Sequence, residues 1–137
     1  MTLQNNIRKI LLVDDDADDR KYFIDALTEI DSSAECITAK DGKEALDILN
    51  DEEQPLPHYI FLDLRMPKIN GRVCLMEIKA NDRLKHIPVF VYTTSQETAE
   101  AEALQAQGAV KFITKPTNTE EIYYVISQAL DEEGNNL

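Results

Sequence analysis

Five short apolar runs divide the sequence: Ile10–Val13, Cys36–Ala39, Tyr59–Leu62, Val89–Tyr92 and Val110–Ile113. An amphipathic or alanine-rich stretch follows each of them. After the first run Phe23, Ala26, Leu27 and Ile30 recur at helical spacing, and after the second Ala45, Ile48 and Leu49 do so. Val73, Met76 and Ala80 form the stripe predicted for the third helix. The fourth helix is alanine-rich and stops at Gly108, in a C-cap position, and the fifth carries Ile122, Val125, Ile126, Ala129 and Leu130. Strict alternation of strand and helix predicts an α/β domain of five strand-helix units on a parallel sheet. Nearly continuous apolar strands are those covered on both faces. In such folds ligands bind beyond the carboxyl ends of the strands, so those ends are where function should collect.

The 137 residues suit one domain, read as 7–131 between a disordered 1–6 and a frayed 132–137. No apolar run approaches a membrane span, and MTLQNNIRK lacks the apolar core of a signal peptide. The expectation is a soluble, cytoplasmic protein. A formal net charge of −12 argues against nucleic acid and anionic membrane as partners. Cys36 and Cys74 are far apart in sequence and read as small buried residues rather than zinc ligands. His58 and His86 flank the third and fourth runs at the end opposite the site, as capping or solvated residues. Tyr92, Tyr123 and Tyr124 read as packing, with an interface role open to the last two.

The first run ends in Asp14 and Asp15, the third in Asp63, the fourth in Thr93 and the fifth in Lys115. If the first and third strands are neighbours, their ends lie about 5 Å apart. Two unit charges about 4 Å apart at an effective dielectric of about 20 repel by roughly 4 kcal/mol. Three carboxylates so placed need a proton or a cation among them. Their hard oxygens suit Mg²⁺, which takes one or two carboxylates, keeps waters and often binds alongside phosphate. A lysine two strands away can cross most of the gap, and a threonine hydroxyl ends the strand between. The set suits a tetrahedral oxyanion beside an acidic nucleophile, with Asp63 as the residue to form an acyl phosphate.

The motifs LLVDDD, FLDLRMPKING, VFVYTTS and FITKP follow one another at the spacing of a known family. The chain resembles a response regulator receiver domain, the phosphorylatable half of two-component signalling, over nearly its whole length. In particular it resembles the small single-domain receivers paired with bacterial phytochromes. The resemblance implies a doubly wound five-stranded parallel sheet, a (βα)5 flavodoxin-like fold of strand order 2-1-3-4-5. It implies that Asp63 accepts a phosphoryl group from a sensor histidine kinase or a phosphotransfer protein. Asp14, Asp15 and Asp63 would hold Mg²⁺ with the backbone oxygen of Arg65, and Mn²⁺ would substitute. Thr93 and Lys115 would bind the phosphoryl oxygens, and Pro116 would follow a cis peptide bond. Thr93 and Phe112 would form the switch, altering the surface of the fourth helix, fifth strand and fifth helix toward a downstream protein target. The chain would act as a monomer or a phosphorylation-dependent dimer, without an output domain, and as a phosphoacceptor rather than an enzyme beyond self-dephosphorylation. Phe112 lacks the hydroxyl of the family's tyrosine variant. Arg65 and Thr94 stand where the family varies, and both could slow attack by water on the acyl phosphate.

Only two of the five aspartates after the first run are needed for metal. Asp16 reads as the helix N-cap with Ala17 at N1, and Asp18 and Asp19 as first-turn partners of the helix dipole. Asp14, Asp16, Asp18 and Asp25 match positions one, three, five and twelve of an EF-hand loop, but position six would be Asp19 rather than Gly and IRKILLV reads as a strand, which disfavours that reading. A Mg²⁺-dependent aspartyl-phosphate phosphatase of the haloacid dehalogenase type would need an acid where Arg65 stands. A flavodoxin-type cofactor site would need a hydroxyl- and glycine-rich loop where DDDADD stands.

Overall fold

A computed structural model of the chain describes residues 8–66, 68–94 and 98–135. Residues 1–6, read as disordered, lie outside it. The elements alternate as expected: β1 (Lys9–Val13), α1 (Ala17–Ile30), β2 (Glu35–Ala39), α2 (Gly42–Leu49), β3 (Tyr59–Leu62), α3 (Gly71–Ala80), β4 (Val89–Thr93), α4 (Thr98–Ala106), β5 (Lys111–Thr114) and α5 (Thr119–Asn135). Of residues 132–137, read as frayed, 132–135 belong to α5 and 136–137 lie outside the described residues. The five strands are parallel and ordered β2-β1-β3-β4-β5, the doubly wound flavodoxin-like arrangement.

Side-chain alternation along the strands divides the core in two. Leu11, Val13, Ile60, Leu62, Val89 and Val91 face one cluster, which Ala45, Leu49, Cys74, Leu75, Ile78 and Leu104 complete from α2, α3 and α4. Ile10, Leu12, Phe61, Phe90 and Tyr92 face the other, closed by Phe23 and Leu27 of α1 and Ile122, Ile126 and Leu130 of α5. The aromatic rings of β3 and β4 thus pack beneath α1 and α5. Phe61 stacks on Phe90 at 4.8 Å and meets Phe23 edge-on at 4.9 Å. Phe112 is the exception: it lies half-buried against the first cluster.

One stripe read from the sequence is corrected. Val73, Met76 and Ala80 face solvent, Met76 with 56% of its surface exposed, while α3 buries Cys74, Leu75 and Ile78. Apolar residues occupy both faces of this helix, and Gly71 determines which face turns inward. A Cβ there would run into the Asp63 carbonyl oxygen, and the Gly71 N–H donates to Leu64 O at 3.0 Å. The first turn of α3 is thereby pressed against the end of β3. Gly108, at φ +113°, ends α4 in the left-handed region that its position demands.

Candidate functional site

β1 and β3 are neighbours in register, Val13 opposite Leu62. The hydrogen-bond ladder carries on one residue further: Asp63 N donates to Val13 O and Asp14 N to Ala39 O, both at 2.9 Å. That extension fixes Asp14 and Asp63 at the carboxyl edge of the sheet, and both are buried. Asp15 follows on the surface. The three residues each offer a carboxylate oxygen within 4.8 Å of the others'. All three are hard oxygen donors, and the set fits a divalent cation.

The compensating charge in this structure is Lys115. Its backbone N–H donates to Thr93 O at 2.7 Å. Its Nζ lies 2.7 Å from Asp14 Oδ2, 2.9 Å from Asp19 Oδ2 and 3.1 Å from Asp63 Oδ2. Burial alone would lower the Lys115 pKa, but the close pairing with Asp14, the hydrogen bond to Asp19 and the charge of Asp63 outweigh it and hold the ammonium above its usual range. For Asp14 the balance falls the other way. Burial raises its pKa despite the Lys115 and Asp16 hydrogen bonds that lower it.

The two oxygens of Asp63 are treated differently. Oδ1 accepts the Leu64 N–H at 2.7 Å and the Arg65 N–H at 3.4 Å, the second near the limit of a hydrogen bond. Among the described residues, the hydrogen-bond partner of Oδ2 is the Lys115 ammonium, at 3.1 Å. Thr93 ends the adjacent strand, fully buried, and its hydroxyl has no hydrogen-bond partner among the described residues. A buried polar group without a partner carries a desolvation cost that an incoming acceptor would relieve. Arg65 is exposed, as is Thr94.

Asp16 caps α1 as read, accepting from Asp19 N at 3.0 Å. His58 caps β1 at the far end of the sheet, where its Nδ1 accepts the Lys9 N–H at 2.9 Å. One expectation is overturned. The Lys115–Pro116 bond is trans, and no cis peptide occurs among the described residues. The isomers of such a bond differ by only about 0.5–1 kcal/mol; here the contacts to Thr93 and the three carboxylates orient the lysine. Two contributors escaped the sequence reading. Asp19 appeared there only as a dipole partner. The Arg20 Nη1 donates to the Asp14 carbonyl at 2.8 Å, tying the β1–α1 loop to its helix. The only sequence signal for either was an excess of charge beyond what a cap needs.

The sequence matches the family model described as response regulator receiver domain over residues 10–127. The chain belongs to that family. It is 34% identical to response regulator Rcp1 of Synechocystis sp. over 126 residues, covering 89% of this chain and 86% of Rcp1. It is 26% identical to the polar-differentiation response regulator DivK of Brucella anthropi, covering 91% and 98% of the two chains. Among solved structures it is similar to the phosphorylated cyanobacterial phytochrome response regulator RcpA, with a TM-score of 0.84 and 31% identity over 90% of this chain and 91% of that one. The Mn²⁺-bound form of Rcp1 superposes with a TM-score of 0.81 over 88% and 90%, at 34% identity.

Proposed function

We propose that the chain receives a phosphoryl group on Asp63 from a sensor histidine kinase or a phosphotransfer protein, and signals through the α4–β5–α5 surface to a protein target in the cytoplasm. The supporting observation is the pairing of a nucleophile with waiting donors. Among the described residues, Asp63 Oδ2 is free of backbone hydrogen bonds and the Thr93 hydroxyl that ends the adjacent strand has no partner, while Lys115 lies 3.1 Å from Oδ2. Oδ2 attacks phosphorus as the P–N bond to the donor imidazole breaks, and the departing imidazole takes up a proton. Backbone amides on Oδ1 keep the carboxylate oriented through the transfer. Lys115 and Thr93 then donate to the phosphoryl oxygens. Asp14, Asp15, Asp63 and the Arg65 carbonyl would hold Mg²⁺, which when bound neutralises charge on the transferring group. Mn²⁺, bound in the similar Rcp1 structure, would serve in its place.

The added charge, roughly −1.5 to −2, draws the Thr93 hydroxyl and the Lys115 ammonium toward Asp63. Phe112, opposite Val91 in the register and half-buried, follows the end of β4 and reshapes the face between α4 and α5. A phosphatase on the same layout lacks its acid, because the exposed Arg65 occupies that position. Incubation with acetyl phosphate and Mg²⁺ should label the protein on one site. Labelling should be lost in Asp63→Asn and on chelation of the metal. Equal labelling of the variant would end this reading, and steady turnover of a phosphomonoester would replace it with the phosphatase. A kinase panel for the physiological donor should include a phytochrome-type kinase, given the similarity to RcpA.

A further inference from the structure

We infer that Asp19 is a positioning residue for Lys115, which keeps the ammonium out of the way of the divalent cation. The inference rests on the metal-binding part of the function proposed above. Lys115 Nζ has three carboxylate partners, Asp14, Asp19 and Asp63, at 2.7, 2.9 and 3.1 Å. Asp14 and Asp63 also belong to the group able to hold a metal ion; Asp19 does not. Asp14 and Asp63 would turn to a cation held there, whose charge would repel the ammonium. Of the three partners, Asp19 alone then remains to Lys115. Its placement suits that task. It lies in the first turn of α1, whose N-cap Asp16 accepts its backbone N–H at 3.0 Å, and its side chain is 35% exposed where that of Lys115 is 8% exposed. Asp18, its neighbour, faces solvent. Without Asp19, the buried ammonium falls back on Asp14 and Asp63 and competes with the metal for them.

The test is a double-mutant cycle on Mg²⁺ binding, measured by calorimetry with Mg²⁺ alone at physiological salt. Loss of one charge-assisted hydrogen bond predicts that Asp19→Asn weakens Mg²⁺ binding about tenfold. Asp19→Glu should restore most of the affinity. In a Lys115→Met background, where no ammonium competes, Asp19→Asn should change the affinity by less than about twofold. Thermal melts of all four proteins confirm that each is folded before titration. If Lys115→Met does not fold, Lys115→Gln takes its place in the cycle. An equal loss in both backgrounds would mean that Asp19 contributes only bulk negative charge, and would overturn the inference. So would an unchanged affinity in Asp19→Asn. Absence of any Mg²⁺ uptake by the unsubstituted chain would overturn this inference and the metal reading together, whereas Asp63→Asn labelling like the parent would overturn the phosphoacceptor reading alone.

Discussion

Asp14 is a carboxylate almost closed off from water, and its pKa is raised by burial, against the pull of Lys115. The native chain therefore holds that proton to higher pH than the unfolded chain does. The group favours the fold most below its ordinary value of 3.8, and that contribution is lost as pH rises through the raised native value. Above that range, without metal, the contribution is gone and the cost of burying the charged form remains. Asp14→Asn should accordingly melt higher than the parent in Mg²⁺-free buffer, by roughly 4 °C, while losing Mg²⁺ binding. A lower melting temperature at pH 7 would show that the Lys115 pair outweighs the burial cost. Residue by residue, the cluster was readable where a side chain follows an apolar run: Asp14, Asp63 and Thr93 come directly after one, and Lys115 one residue further on. Asp19 was not readable. As a first-turn acid it already had a sufficient local explanation, and its partner lies 96 positions away. The isomer of the Lys115–Pro116 bond was unreadable for another reason, since so small an energy difference is decided by contacts that no local pattern encodes.

Helix α3 shows where periodicity runs out. Residues 73, 76 and 80 and residues 74, 75 and 78 both repeat at helical spacing, and both sets are apolar or nearly so. The pattern identifies a helix without saying which side is inward. The tight approach of Gly71 to the end of β3 selects the second set. The two faces should respond differently to substitution. Ile78→Ala, which empties a fully buried position, should cost about 2–5 kcal/mol. Met76→Lys, on the solvent side, should stay within about 0.5 kcal/mol. Urea unfolding distinguishes them, and comparable losses would place Met76 in the core after all. Helices α1 and α5 were legible because each has one apolar face: Phe23, Ala26 and Leu27 of α1 and Ile122, Ile126, Ala129 and Leu130 of α5 are buried, with Ile30 and Val125 of the same stripes half-buried beside them.

At the scale of the whole molecule, alternation of strand and helix was enough to establish a parallel sheet covered on both sides. It did not by itself order the strands; that came from the family resemblance, and the pairing of β1 with both β2 and β3 bears it out. The order is what brings Asp14, Asp15 and Asp63 together, so only the folded chain assembles the proposed cation site. Magnesium should therefore stabilise the fold by mass action, by about 2.7 kcal/mol at a hundred times its dissociation constant. Thermal melts with Mg²⁺ against KCl of matched ionic strength would show this, and coincident melts would count against the site. The same packing that gathers the strand-end carboxylates also sets a ring beneath them. The Lys115 ammonium lies 5.8 Å from the centre of Tyr92, on a chain with five tyrosines and no tryptophan. Burial pushes the Tyr92 phenol well above its ordinary range, so its absorbance does not drift with ionisation near neutrality. Any event that displaces the ammonium alters the electric field on that chromophore, and the protein thus carries an intrinsic optical gauge that would follow loading of the site without an added dye.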